Sequence, residues 1–200
     1  MNKQELLKSI AQSGYNIGFG AKKHFATYDL YRVFPRTISF LVLAIGIFQL
    51  TCIYKDTISN SYWNDFMAVI IIIAALLSLI IDLVGYNKNE IAKKAKDLIG
   101  LFNQLRVLYY QVKGTDSTND IEIYLRQLKD IEEEAKNIAL SDLAIGINIY
   151  THWSFFGGST QIDWIDEQLK FKCSDKFPFF HIESIILYLI IFILIVACFH

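Results

Sequence analysis

The sequence predicts an all-α membrane protein: a transmembrane helical hairpin, a cytosolic antiparallel helical hairpin and a third, C-terminal transmembrane helix. Of 200 residues, 54% are hydrophobic and 20% charged, against roughly 45–50% and ~25% in an average soluble domain. The apolar excess is gathered into three blocks. Between the second and third blocks, apolar residues return with a helical period. Two prolines and ten glycines exclude a collagen-like or low-complexity chain.

The first block, TISFLVLAIGIFQLTCIY at 37–54, has no ionisable side chain before its terminal Tyr54. At 1.5 Å per residue it reaches about 27 Å, close to the ~30 Å of a bilayer's hydrocarbon core. It begins too late for a signal peptide and no small-residue cleavage site follows it. The second block, 66–86, carries one charge, Asp82, near its end. The third, 179–199, keeps His181 and Glu183 in its first turn and is apolar from Ile185 to Phe199. Apolar character all round the helix favours lipid over a one-sided packing stripe. Three spans are expected, with two spans and a buried or re-entrant third block as the alternative.

Orientation follows from the distribution of Lys and Arg. Six precede the first block, one (Lys55) lies in the connector from Lys55 to Asp65, and twelve lie between Asn87 and Pro178. The expected topology places the N-terminus in the cytoplasm, a short hairpin loop outside, the 87–178 region inside and the C-terminus outside. Tyr54, Tyr62 and Trp63 around the outer loop suit an interfacial aromatic belt.

The remaining segments are read by period. Residues 1–36 form an N-terminal amphipathic helix or helix pair: Leu6, Ile10, Ile17, Ala21, Phe25 and Tyr28 fall at three- and four-residue steps, with a gap at Ser13–Gly14. Pro35 fits the first turn of the first span. In 87–150, Ile91, Ala95, Leu98, Phe102, Leu105, Tyr109 and Val112 recur at alternating steps of four and three, a heptad seam. After the polar stretch KGTDSTND, Asn119 can cap a second helix with Glu122 at its third position. That helix carries the seam Tyr124, Leu128, Ile131, Ala135 and Ile138. The acidic triplet Glu132–Glu134 reads as a solvated face. Residues 151–178 read as a linker with an interfacial helix over Gln161–Lys172, feeding the third transmembrane helix at 179–199.

No reaction chemistry is encoded in a recognisable pattern. The glycine-rich GYNIGFG (Gly14–Gly20) follows no strand and lacks the Lys-Ser/Thr ending of a phosphate loop. His152 has no metal-spaced companion, so a surface or packed histidine is expected. Cys52, Cys173 and Cys198 have neither metal nor redox spacing and suggest no disulfide framework. A formal charge of -1 supplies no net basic field for duplex nucleic acid. No cofactor, metal or direct nucleic-acid binding is expected, and the chain is not read as an enzyme.

The spans themselves hold the candidate site residues. Ala68, Ala75, Ser78, Asp82 and Gly85 share one face of the second span; Ser39, Gly46 and Gln49 share one face of the first. Small residues allow close helix approach in lipid, and an intramembrane carboxylate tends to face protein or water. These faces therefore either pack helices or line an ion path. Thin helical hairpins can enclose such a path only by assembling, which points to a homo-oligomer.

The layout resembles the SLATT family of bacterial two-span effectors, associated with nucleotide-second-messenger conflict systems. The resemblance covers about residues 5–140. It rests on SGYNIGFGAKKHF (Ser13–Phe25), the span hairpin with its short loop, and IAKKAKDLIGLFNQLRVLY (Ile91–Tyr109). The resemblance implies a pore-forming or membrane-disrupting effector in the bacterial inner membrane, with no catalytic residues to carry over. It further implies anti-phage defence by abortive infection, and an upstream signalling protein from a nucleotidyltransferase or reverse transcriptase system. The block at 179–199 departs from the two-span core. A membrane-anchored scaffold or sensor that recruits a cytosolic partner is the alternative reading.

Overall fold

The computed structural model describes residues 2–49, 61–84, 87–115, 120–138, 143–144, 146–157 and 161–176, together with 185, 186, 189 and 190. Among these the regular elements are helices: α1 (Lys3–Gln49), α2 (Ser61–Val84), α3 (Lys88–Gly114), α4 (Ile121–Asn137), α5 (Ile147–Phe156) and α6 (Asp163–Leu169), with a 3-10 turn at Cys173–Lys176. The chain divides into two compact units, one of Met1–Thr27 with Ile91–His200 and one of Tyr28–Glu90.

The first unit is built on the periodic faces. All seven residues of the first seam, Ile91 to Val112, are buried on α3, and Leu101 and Leu108 widen the stripe. On α4 Leu128 and Ile131 are buried, while Tyr124, Ala135 and Ile138 pack against the same core. From α1 come Leu6, Leu7, Ile10, Ala11, Ile17 and Ala21. Each of the leucines and isoleucines removed from water contributes roughly 1.5–3 kcal/mol.

Where the pattern of the N-terminal segment left one helix or two open, the structure has one, and it passes through Ser13–Gly14. The glycines there serve packing. A Cβ on Gly14 would lie 2.2 Å from the Trp164 ring, and one on Gly18 2.7 Å from the Phe102 ring. Pro35 sits inside α1, not at a helix start. The Asn119 cap lies outside the described residues; the residue at the N-cap of α4 is Asp120, with no side-chain capping bond.

Part of the 151–178 segment also packs into the core. Phe155 on α5 and Trp164 and Ile165 on α6 are fully buried in the core of the first unit. Trp164 stacks at a tilt against Phe102 and Tyr109, with ring centroids 5.7 and 5.3 Å apart. Tyr15 on α1 meets Phe155 and Phe171 at 5.6 and 5.2 Å. Aromatic pairs at these separations contribute about 0.5–1.5 kcal/mol beyond the area they bury. The acidic triplet also divides: Glu133 and Glu134 are exposed, but Glu132 accepts a hydrogen bond from Ser13 on α1.

The second unit contains the apolar parts of α1 and α2. Both helices are long and apolar enough to cross a membrane. Within it their apolar side chains face outward: Phe40 and Leu83 are each 69% exposed. Helices suit this setting because they satisfy every backbone polar group internally. Ser39 and Ser78 both donate to the Pro35 carbonyl, at 2.8 and 3.3 Å, so each hydroxyl finds an acceptor among apolar neighbours. Most of the 179–199 block, Tyr54, Gly85, Cys52 and Cys198 lie outside the described residues. Of that block Ile185, Ile186, Leu189 and Ile190 are described; they are helical and exposed.

Candidate functional site

The span residues separate by what they touch. Ser78 on α2 reaches the α1 backbone at Pro35, so this position joins the two helices. Ser39 bonds one turn back on its own helix. Asp82 forms an ion pair with Lys88 at 3.8 Å, both side chains substantially exposed; a pair of this kind contributes little stability. Ala75 is exposed, Gly46 and Gln49 are half-buried, and a Cβ on Gly46 would meet nothing within 4 Å. Gly85 lies outside the described residues.

At the end of the hairpin where α1 enters its apolar stretch, a cavity of about 410 Å³ opens. Tyr28, Arg32 and Arg36 line it from successive turns of α1; Asp82, Lys88 and Asn89 line it from the chain around the end of α2. The Arg32 guanidinium lies over the Tyr28 ring, 5.8 Å from its centroid, and among the described residues neither Arg32 nor Arg36 has a carboxylate partner. In the topology these arginines count only toward the total of basic residues before the first apolar block. Their spacing of four, directly before an apolar run, was the available signal of a shared face.

The first unit holds polar networks of a structural kind. Lys113 bonds both carboxylate oxygens of Glu167 at 2.7 Å. That contact lowers the Glu167 carboxyl below its ordinary range and raises Lys113. Burial raises the Tyr109 hydroxyl, which accepts a bond from Gln168 at 2.9 Å. Lys176 pairs with Asp166 at 2.7 Å. His152 is buried and edge-on to Phe19 and Phe156, which is the packed histidine of the two alternatives. His24, which no pattern in the sequence marks, is buried with its Nδ1 2.8 Å from the Gly20 carbonyl. Burial pushes its imidazole below the ordinary value; the Gly20 bond opposes this, and Lys94 and Lys23 add to it. Among the described residues no three His, Cys, Asp or Glu side chains gather as a metal site.

A pair of apolar helices and a helical core are features many proteins could share; a family match decides between them. The model of the SMODS and SLOG-associating 2TM effector domain 6 matches residues 1–185. The chain belongs to the SLATT family. Family membership makes this SLATT protein a membrane effector domain of the two-span type, in a family associated with conflict systems and not a known enzyme family. No curated protein and no solved structure matches it.

Proposed function

We propose that this SLATT protein is an oligomeric inner-membrane effector that opens a pore or otherwise breaches the membrane when triggered. In this reading its N-terminus is cytoplasmic, the trigger comes from a nucleotidyltransferase or reverse transcriptase system, and the outcome is abortive infection of a phage-infected cell. One observation carries the proposal: the α1–α2 hairpin of a two-span effector exposes its apolar faces on both helices. Two helices cannot enclose water, so a conducting path needs several copies. Ala75, Asp82 and Gln49 are the candidates to face that path, while Ser78 is engaged within the hairpin.

The test is induced expression in cells carrying a potential-sensitive dye, with and without the trigger. Loss of membrane potential and of viability is expected. Asp82→Leu and Gln49→Leu are expected to change single-channel conductance of protein reconstituted in bilayers, without changing oligomer size. Intact potential and viability in triggered cells would overturn the proposal; if a stable, stoichiometric partner then co-purified, the scaffold reading would replace it. A third crossing by 179–199 belongs to the same proposal and places the C-terminus outside.

A further inference from the structure

We infer that the cavity at the foot of the hairpin binds the phosphate of one anionic phospholipid, whose acyl chains lie along α1. The inference rests on the hairpin residing in a membrane, not on its forming a pore. The cavity brings together Arg32, Arg36 and Lys88 against a single carboxylate, Asp82, which is already engaged with Lys88. Two guanidinium groups are thus left without a counter-charge among the described residues. Guanidinium donors form paired bonds to phosphate oxygens, and Tyr28 and Asn89 add neutral hydrogen-bonding groups at the same rim. The volume, about 410 Å³, lies within the roughly 300–1,000 Å³ of small-molecule sites.

An apolar stripe continues from the cavity along α1. Arg36, Phe40, Leu43 and Ile47 follow one another at steps of four, three and four, so they share one face of α1. All four are exposed. A cation at the top of an exposed apolar stripe matches a headgroup above its chains. The apolar run of the first span begins at the next residue, Thr37, and Asp82 lies in the last turns of α2. That puts the cations at headgroup depth, where basic pockets between spans hold anionic lipids. A soluble phosphate would satisfy the same guanidinium groups, but only a lipid joins that bond to contacts of its own acyl chains along the stripe.

The test uses the full chain purified in a neutral detergent and analysed by native mass spectrometry. Dioleoyl phosphatidylglycerol is added in one arm, dioleoyl phosphatidylcholine in a second and glycerol 3-phosphate in a third. One phosphatidylglycerol per protomer is expected, held at least roughly tenfold more tightly than the zwitterionic lipid. The Arg32→Gln/Arg36→Gln double variant is expected to lose that preference, and a Lys93→Gln/Lys129→Gln control in the other unit to keep it. Asp82→Asn, which removes the opposing charge, is expected to tighten retention. Arg32→Lys/Arg36→Lys reads the site with its charge kept and its paired geometry lost, and serves if the Gln variant loses helicity. Equal retention of both lipids, or retention unaffected by the arginine changes, would overturn the inference. Displacement of the lipid by an equal concentration of glycerol 3-phosphate would overturn the lipid as its occupant. Lipid preference without any permeability would sink the pore proposal alone; permeability without lipid preference would sink this one alone.

Discussion

At Gly14 and Gly18 local and tertiary preferences oppose each other. In a helix interior, alanine is favoured over glycine by about 1 kcal/mol. At Gly14 a methyl group would lie 2.2 Å from a Trp164 ring that is itself 1% exposed, and at Gly18 2.7 Å from Phe102. Rigid buried rings cannot give way, and overpacking of this kind costs about 1–3 kcal/mol. Gly14→Ala and Gly18→Ala are therefore expected to lower stability in a thermal or denaturant melt. Gly100→Ala, where a Cβ meets nothing within 4 Å, should raise it by about 1 kcal/mol. A rise at all three positions would refute the close packing. His24 gives a pH signature. Its Nδ1 donates to the Gly20 carbonyl, and its Nε2 is buried with no partner among the described residues. Protonation would add a buried donor beside Lys94 and Lys23. Because the folded group titrates below its unfolded value of about 6.5, its contribution is present above that pH. It is lost as the pH falls, since the unfolded chain takes up the proton first. Melts from pH 7.5 to 5 should show declining stability, and His24→Gln should flatten the decline. An unchanged slope in that variant would assign the effect to other groups.

Among the elements, α3 has its core role most plainly written in the chain. Its seam is buried from Ile91 to Val112, while Val107 and Tyr110 on the opposite side are 54% and 55% exposed. Leu105→Ala is expected to cost about 2–5 kcal/mol and Val107→Ala under ~1 kcal/mol, both read by chemical denaturation; equal losses would contradict this facing. The alternation of four and three made α3 and α4 legible, because a helix that buries one stripe must repeat at that interval. The apolar stretches were legible for the complementary reason: in lipid no stripe is needed. The segment from Ile147 to Lys176 was not legible. Its helices, α5 and α6, have ten and seven residues, too short to establish a period, and Gly157–Gly158 between them reads as a linker. What makes this segment core is the fit of Trp164 against Gly14, a pairing across 150 positions that no local window contains. The arginine-lined cavity was hidden in the same way, since Asp82, Lys88 and Asn89 join Arg32 and Arg36 only when the hairpin closes.

For the whole molecule, the distribution of cations makes a sidedness prediction that the native thiols can test. Twelve of the 19 Lys and Arg residues fall between Asn87 and Pro178 and one falls in the loop between the first two apolar blocks. Cytoplasmic segments accumulate such residues, so Cys173, which is exposed, should be reached by a membrane-impermeant maleimide only after cells are permeabilised. In a Cys52→Ser/Cys198→Ser background this is the one remaining thiol in the sequence. Adding Ser59→Cys should create a site labelled in intact cells, because a hairpin returns the chain to its starting side and leaves its loop opposite. His200→Cys extends the logic to the last block. A third crossing predicts labelling in intact cells, whereas a block that dips and returns predicts protection until permeabilisation. Labelling of Cys173 and Ser59→Cys from the same side would contradict a spanning hairpin, and the exposed apolar faces of α1 and α2 would then need protein rather than lipid to cover them. Opposite labelling would place the arginines of the cavity on the cytoplasmic leaflet, where anionic headgroups give a surface potential of about −30 mV.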